Sequence, residues 1–309
     1  MPLTPKQKAY FALVTTSIIW GTTWVAMKFA IKGIPPLELA ATRQFIAGSI
    51  FVIFFLLKKE TLPTYYQFKK LFFLGILTFV MANGLSTWSM KYLSSGLGAL
   101  IGALYPLSVV IMEYFFFKNN KINYITIVGI LLGIGGIAFV FYDNAFVEHP
   151  AGYFLGLSLA IIAMLSWSVS SILIAKKYIK MNAYFGMGWQ MLFSSIMLGM
   201  VSFFNEKTVN LFNVNIASFA AFLYLIIAGS IIAIIAFVYS MKHLNPAIAV
   251  LYAYINPIVA MVTGSFVLGE KLTLIIISGS VVTLIGVYLV NFSIKKNTEK
   301  DQVIRVVET

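Results

Sequence analysis

Long apolar runs separated by short polar gaps dominate the chain. Runs long enough to cross about 30 Å of hydrocarbon fall at 10–31, 36–57, 68–90, 95–117, 122–142, 152–175, 182–204, 215–240, 245–268 and 272–294. Lipid offers backbone groups no hydrogen-bond partner, so spans this long and apolar are expected as helices. Ten-residue stretches of alternating apolar and polar positions, the signature of a membrane barrel, are absent. The pattern predicts an all-α integral membrane protein with ten transmembrane helices and no inserted soluble domain. Lys6 and Lys8 precede the first run as they would in a signal peptide. No small-x-small cleavage site follows before Lys28 and Lys32, so cleavage is not expected. The mixed-charge end from Lys295 to Thr309 is expected to be a solvated, poorly ordered tail.

Within this pattern one phrase occurs twice. Residues 89–106 read SMKYLSSGLGALIGALYP and residues 240–257 read SMKHLNPAIAVLYAYINP, 151 positions apart. The first copy joins spans three and four, the second spans eight and nine. Five spans separate them, an odd number, so the copies fall on opposite faces of the membrane. This is the mark of an inverted-topology repeat. Tyr105-Pro106 matches Asn256-Pro257 at the same offset, and Trp20 matches Trp167 at an offset of 147. The expected organisation is a 5+5 inverted repeat, residues 1–143 and 144–294, followed by a cytoplasmic tail at 295–309.

Composition sharpens the class. Of 309 residues, 60% are hydrophobic and 10% charged, against about 25% charged in soluble domains. The net charge of +12 does not point to nucleic acid, because no basic stripe interleaved with aromatics is present. The lysines lie in the gaps between runs, where they set orientation. Sixteen basic residues fall on the side of the termini and five on the other, with Arg43 inside a span. Both termini are therefore expected in the cytoplasm of a plasma (inner) membrane protein. With no cysteine, and with His149 and His243 the two histidines, no disulfide, metal site or cofactor is expected.

Two stretches carry a family resemblance. They are SIIWGTTWVAMKFAIKGIPPLELAATRQFIAGSI in spans one and two, and PAIAVLYAYINPIVAMVTGSFVLGEKLT in spans nine and ten. The chain resembles the EamA-type branch of the drug/metabolite transporter superfamily, over all ten spans. The resemblance implies a 5+5 basket of helices. It also implies a central cavity lined mainly by spans one, three, four, six, eight and nine, and export of metabolites or amphipathic compounds. Asn119 departs from the family's pattern, which often has glutamate at that place.

Ionisable groups inside a span are costly and mark function by default. Arg43 lies too deep in span two to reach the interface easily. It is expected either to attract a carboxylate in the cavity or to clamp carbonyls or Glu38. Glu113 and Lys28, near span ends, are candidate gate groups, with pairing or snorkelling as the alternatives. Neutral polar candidates are Asn83, Ser166, Ser170, Gln190 and Asn256, each of which can instead bond a neighbouring helix. Aromatic candidates are Trp20, Tyr105, Trp167 and Tyr252, suited to stacking on an apolar or cationic ligand. Pro106 and Pro257 remove backbone donors in mid-span and are candidate hinges. Gly98-x-x-x-Gly102 and Gly129-x-x-x-Gly133 read as internal packing motifs.

These features define a secondary transporter exporting a small metabolite, an amino acid or related amphipathic compound, by alternating access. The alternative is a ligand-binding receptor or assembly subunit without transport. An enzyme is not expected, and no Walker motif is present for ATP hydrolysis. The expected partners are a small-molecule substrate and the lipid bilayer, not nucleic acid. The expected state is a monomer, with a homodimer as the alternative.

Overall fold

The computed structural model describes residues 3–117, 123–145, 151–176, 178–206, 208–244, 248 and 251–307. Asn119, His149 and part of the second copy of the repeated phrase lie outside the described residues. The described helices are α1 (Pro5–Ala30), α2 (Pro36–Leu57), α3 (Tyr65–Ser89), α4 (Ser95–Gly102 and Tyr105–Met112, ending in a π turn at Glu113–Phe117) and α5 (Tyr124–Ala145). They continue as α6 (Tyr153–Ala175), α7 (Ala183–Asn205), α8 (Ile216–His243), α9 (Tyr252–Leu268) and α10 (Leu274–Val307). No strand occurs among the described residues. Among the described residues eight helices are long and apolar enough to cross a membrane, and the apolar segments Tyr124–Val140 and Tyr252–Leu268 are shorter.

Local chemistry sets the starts of α1 and α3, which the apolar runs alone place too late. Thr4 Oγ1 accepts from the Gln7 amide at 3.3 Å, and Gln7 Oε1 accepts from the Thr4 amide at 2.9 Å. This capping box, followed by Pro5 in the first turn, starts α1 five residues before the apolar run. Thr64 and Gln67 repeat the device at the start of α3. At its far end α10 runs on to Val307, where a loose tail was expected. The stretch 295–307 holds no Gly or Pro to stop the helix.

The outer surface is apolar. Phe11, Val14 and Ile18 form a stripe on α1, Ile196, Met200 and Phe203 one on α7, and Ile277, Val281, Ile285 and Tyr288 one on α10, all exposed. Spacings of three and four put each stripe on one helix face. Water would not tolerate such a surface, and lipid does.

Small residues hold the helices together where they touch most closely. On α5, a Cβ at Gly129 would stand 2.7 Å from the Gly286 carbonyl oxygen of α10, and one at Gly136 2.6 Å from that of Gly279. Gly133 packs on Leu107 of α4 and faces Gly286. The Gly129 motif is therefore internal packing. Gly98 and Gly102 serve differently, for their missing side chains leave room for the Trp24 indole. Gly48 and Gly188 bring α2 and α7 together in the same way.

Several helices depart from α geometry in the middle. α3 contains a π segment at Ile76–Gly84, and α8 one at Leu225–Ile232. α4 breaks before Tyr105, so Pro106 sits in the first turn of a new helix, where its missing donor costs nothing. Pro257 lies inside α9 and does interrupt the ladder. The two prolines, matched in sequence, thus differ in their local roles.

Candidate functional site

A cavity of about 190 Å³ opens among α1, α2, α3, α4, α6, α7, α8 and α9. The helices expected as the main lining all contribute, and α2 and α7 join them. α2 contributes Arg43 and Gln44, and α7 contributes Met187 and Met191.

One part of the wall is aromatic. Trp20 meets Trp167 edge-to-face at 6.1 Å, Tyr252 edge-to-face at 5.2 Å and Phe237 at 5.0 Å. Tyr105 stacks on Tyr252 at 6.0 Å. Two indole N–H groups are fixed by polar partners. Trp20 Nε1 donates to the Gly229 carbonyl at 3.2 Å, and Trp24 Nε1 to Asn256 Oδ1 at 3.1 Å.

The other part is polar. Gln44 Nε2 donates to the Phe79 carbonyl at 3.2 Å and to Asn83 Oδ1 at 3.1 Å. Phe79 and Gly229 both lie in π segments. A π turn takes carbonyls out of the regular ladder, and here those carbonyls hold side chains of the cavity wall.

Arg43 is 7% exposed, and its Nε has no hydrogen-bond partner. The clamp on Glu38 is not formed. Glu38 Oε2 instead accepts from the Val209 amide at 3.2 Å. Glu206 is also engaged elsewhere, accepting from the Leu37 and Glu38 amides and the Ser202 hydroxyl. Gln44 Oε1 and Thr78 Oγ1, each on a residue 1% exposed, are likewise without partners. Buried polar atoms are nearly always satisfied, so three such atoms in one wall mark a place where a ligand or water completes the bonding.

Of the nominated residues, Trp20, Arg43, Asn83, Tyr105, Trp167, Tyr252 and Asn256 line this cavity. Ser166, Ser170 and Gln190 do not. Ser166 Oγ donates to the Ile162 carbonyl and Ser170 Oγ to that of Trp167, each serving its own helix. Gln190 is buried where α7 packs on Gly75 of α3. The gate candidates Lys28, Glu113, Pro106 and Pro257 also lie off the cavity lining. Lys28 Nζ donates to the Met90 carbonyl at 2.8 Å, tying the end of α1 to the end of α3. Glu113 is half-buried in the last turn of α4. Gln44, Thr78 and Phe237 were not anticipated as wall residues. Gln44 and Met191 are 147 positions apart, the Trp20–Trp167 offset, which is a signal that could have found them.

Among the described residues no cluster of His, Cys, Asp or Glu could hold a metal. The arrangement is that of a binding cavity inside a helical membrane protein: mostly apolar walls with a few fixed polar groups.

Comparison with known proteins makes the class specific. The family model for the EamA-like transporter family matches the chain twice, at residues 7–142 and 154–292. The chain belongs to the EamA-like transporter family, consistent with the drug/metabolite transporter superfamily, and is a multi-pass membrane protein. It is 30% identical over 297 residues to the uncharacterized inner membrane transporter YedA of Escherichia coli (strain K12), covering 93% of each chain. It is 23% identical to the uncharacterized transporter YoaV of Bacillus subtilis (strain 168), covering 94% of this chain and 98% of the relative. A solved crystal structure, 17% identical, shares the fold with a TM-score of 0.66, covering 93% of this chain and 98% of that one.

Proposed function

We propose that this protein is a secondary transporter of the inner membrane that exports a small amphipathic molecule, an amino acid or a related metabolite. It works by alternating access through the cavity, which lies between two inverted halves, 1–143 and 144–294. The observation that carries the reading is that helices of both halves build the wall at corresponding places. Trp20 and Trp167, Gln44 and Met191, and Tyr105 and Asn256 are pairs at the repeat offsets. The π segments start at Ile76 and Leu225, 149 positions apart, between the offsets of 147 and 151. Helix contacts follow the same exchange. α1 packs on α8 and α9 as α6 packs on α3 and α4, while α2 packs on α7 and α5 on α10.

Two similar halves in opposite orientation have two nearly equivalent arrangements, one open to each side. Interfaces of this kind are bistable rather than continuously deformable. The names of YedA and YoaV as transporters support the same reading. The protein needs no cofactor and acts as a monomer, with both termini cytoplasmic. Its ligand leaves chemically unchanged.

Counterflow in proteoliposomes tests this. Vesicles loaded with a mixed metabolite pool should take up a labelled member of that pool only when protein is present. Ligand binding without any exchange would overturn transport and leave a receptor.

A further inference from the structure

We propose that the cavity selects a monovalent organic anion, with the anionic group seated on Arg43 and the Thr78 hydroxyl and the apolar body against the aromatic wall. The proposal deepens the cavity reading above and rests on it. Arg43 is buried, its Nε is unpartnered, and among the described residues no Asp or Glu lines the cavity. A guanidinium in that setting lacks a counter-charge, the costly condition for a buried ion, and a carboxylate with its fork geometry relieves it. Thr78 Oγ1, also buried and unpartnered, supplies a further donor from the facing helix.

The other wall groups narrow the class. The Gln44 amide nitrogen is already spent on Phe79 and Asn83, so Gln44 offers the ligand only its oxygen, an acceptor for a hydroxyl or a water. Among the described residues no second Lys, Arg or His lines the cavity, so a dianion would bring a charge with no partner. An ammonium group would meet Arg43 with no carboxylate to offset it. Zwitterions and cations are therefore disfavoured relative to a monocarboxylate of the same shape, which narrows the substrates proposed above from free amino acids to related metabolites that carry a carboxylate without an ammonium group.

The ends of the ligand are also assigned. Arg43 is seven residues from the start of α2, ~10 Å along the axis. Trp20 is ten residues from the end of α1 at the same membrane side, ~15 Å deep. The repeat-related Met191, packed against α2 at Gly48, adds an apolar group to the wall. The anion thus sits nearer the level of the α1–α2 link than Trp20 does, and the body lies deeper.

The test uses four probes with one body: phenylacetate, 2-phenylethanol, phenylalanine and 2-phenylethylamine. Each is titrated against the purified full chain, reading quenching of tryptophan fluorescence, since Trp20, Trp24 and Trp167 line the cavity. Phenylacetate should bind about tenfold or more tightly than the other three. Arg43→Gln should bring it level with 2-phenylethanol, and Arg43→Lys should keep the ranking. Because Arg43→Gln could fail to fold, Thr78→Val serves as a second variant, with phenylacetate weakened about threefold and 2-phenylethanol unchanged. Phenylacetate no tighter than 2-phenylethanol, equal binding of phenylalanine or the amine, or binding of none of the four overturns the proposal. The expected ranking without vesicle exchange would keep the anion seat and remove transport. Exchange without the ranking would do the reverse.

Discussion

Single residues decide how the helix ends are tied. Glu270, half-buried after α9, accepts from the Ser95 amide at 2.7 Å, the Ser95 hydroxyl at 2.8 Å and the Gly96 amide at 3.4 Å. It satisfies the free amides at the start of α4, as Glu206 does for α2. Glu270→Ala leaves those donors without a charged acceptor, at a cost of about 1–3 kcal/mol. The variant should melt at lower temperature in detergent, and Glu270→Gln should fall between it and the parent. Equal melting of all three would show that water replaces the carboxylate without loss. The sequence marked Glu270 only as part of a family stretch. Its partner, 175 positions away, was not legible there, because helix-end capping across the bundle leaves no local pattern.

At the scale of elements, glycine placement sets how close two helices come. Gly135 and Gly136 are neighbours on α5 with opposite surroundings. A Cβ at Gly135 meets nothing within 4 Å, whereas one at Gly136 would press on Thr283 and on the Gly279 carbonyl oxygen of α10. Gly136→Val should therefore destabilise the protein by about 1–3 kcal/mol through overpacking, and Gly135→Ala should be tolerated. Thermal melting of the two variants side by side checks this. Similar losses in both would mean that α5 and α10 separate readily. The π segments of α3 and α8 are a second feature of this scale. No residue type announces them, since a π turn arises when tertiary contacts take a carbonyl out of the ladder.

For the whole molecule the main expectation is orientation. The chain has no cysteine, so a single introduced thiol reports its own side of the membrane. In intact cells a membrane-impermeant maleimide should label Lys271→Cys and leave Lys58→Cys unlabelled until the cells are opened. The opposite result would invert the proposed topology. Charge asymmetry between the connecting segments is what carries this expectation. It rests on the sequence alone because insertion depends on which loops bear lysine, not on how helices pack.

By itself the sequence determined the helical membrane class and the family, because the need to satisfy backbone groups in lipid acts on each span separately. It also identified much of the cavity wall, including Trp20, Arg43, Tyr105, Trp167 and Asn256, through residue types that are rare or repeated in such spans. Only the tertiary structure decided which side chains of a span face the cavity. Ser166, Ser170 and Gln190 turned away from it, while Gln44, Thr78 and Phe237 turned toward it. Successive residues of a helix point about 100° apart, so membership of a span does not assign a face. For Gln44 and Gln190 that choice comes from the close packing of α2 on α7 through Gly48 and Gly188, which fixes each helix's rotation about its axis.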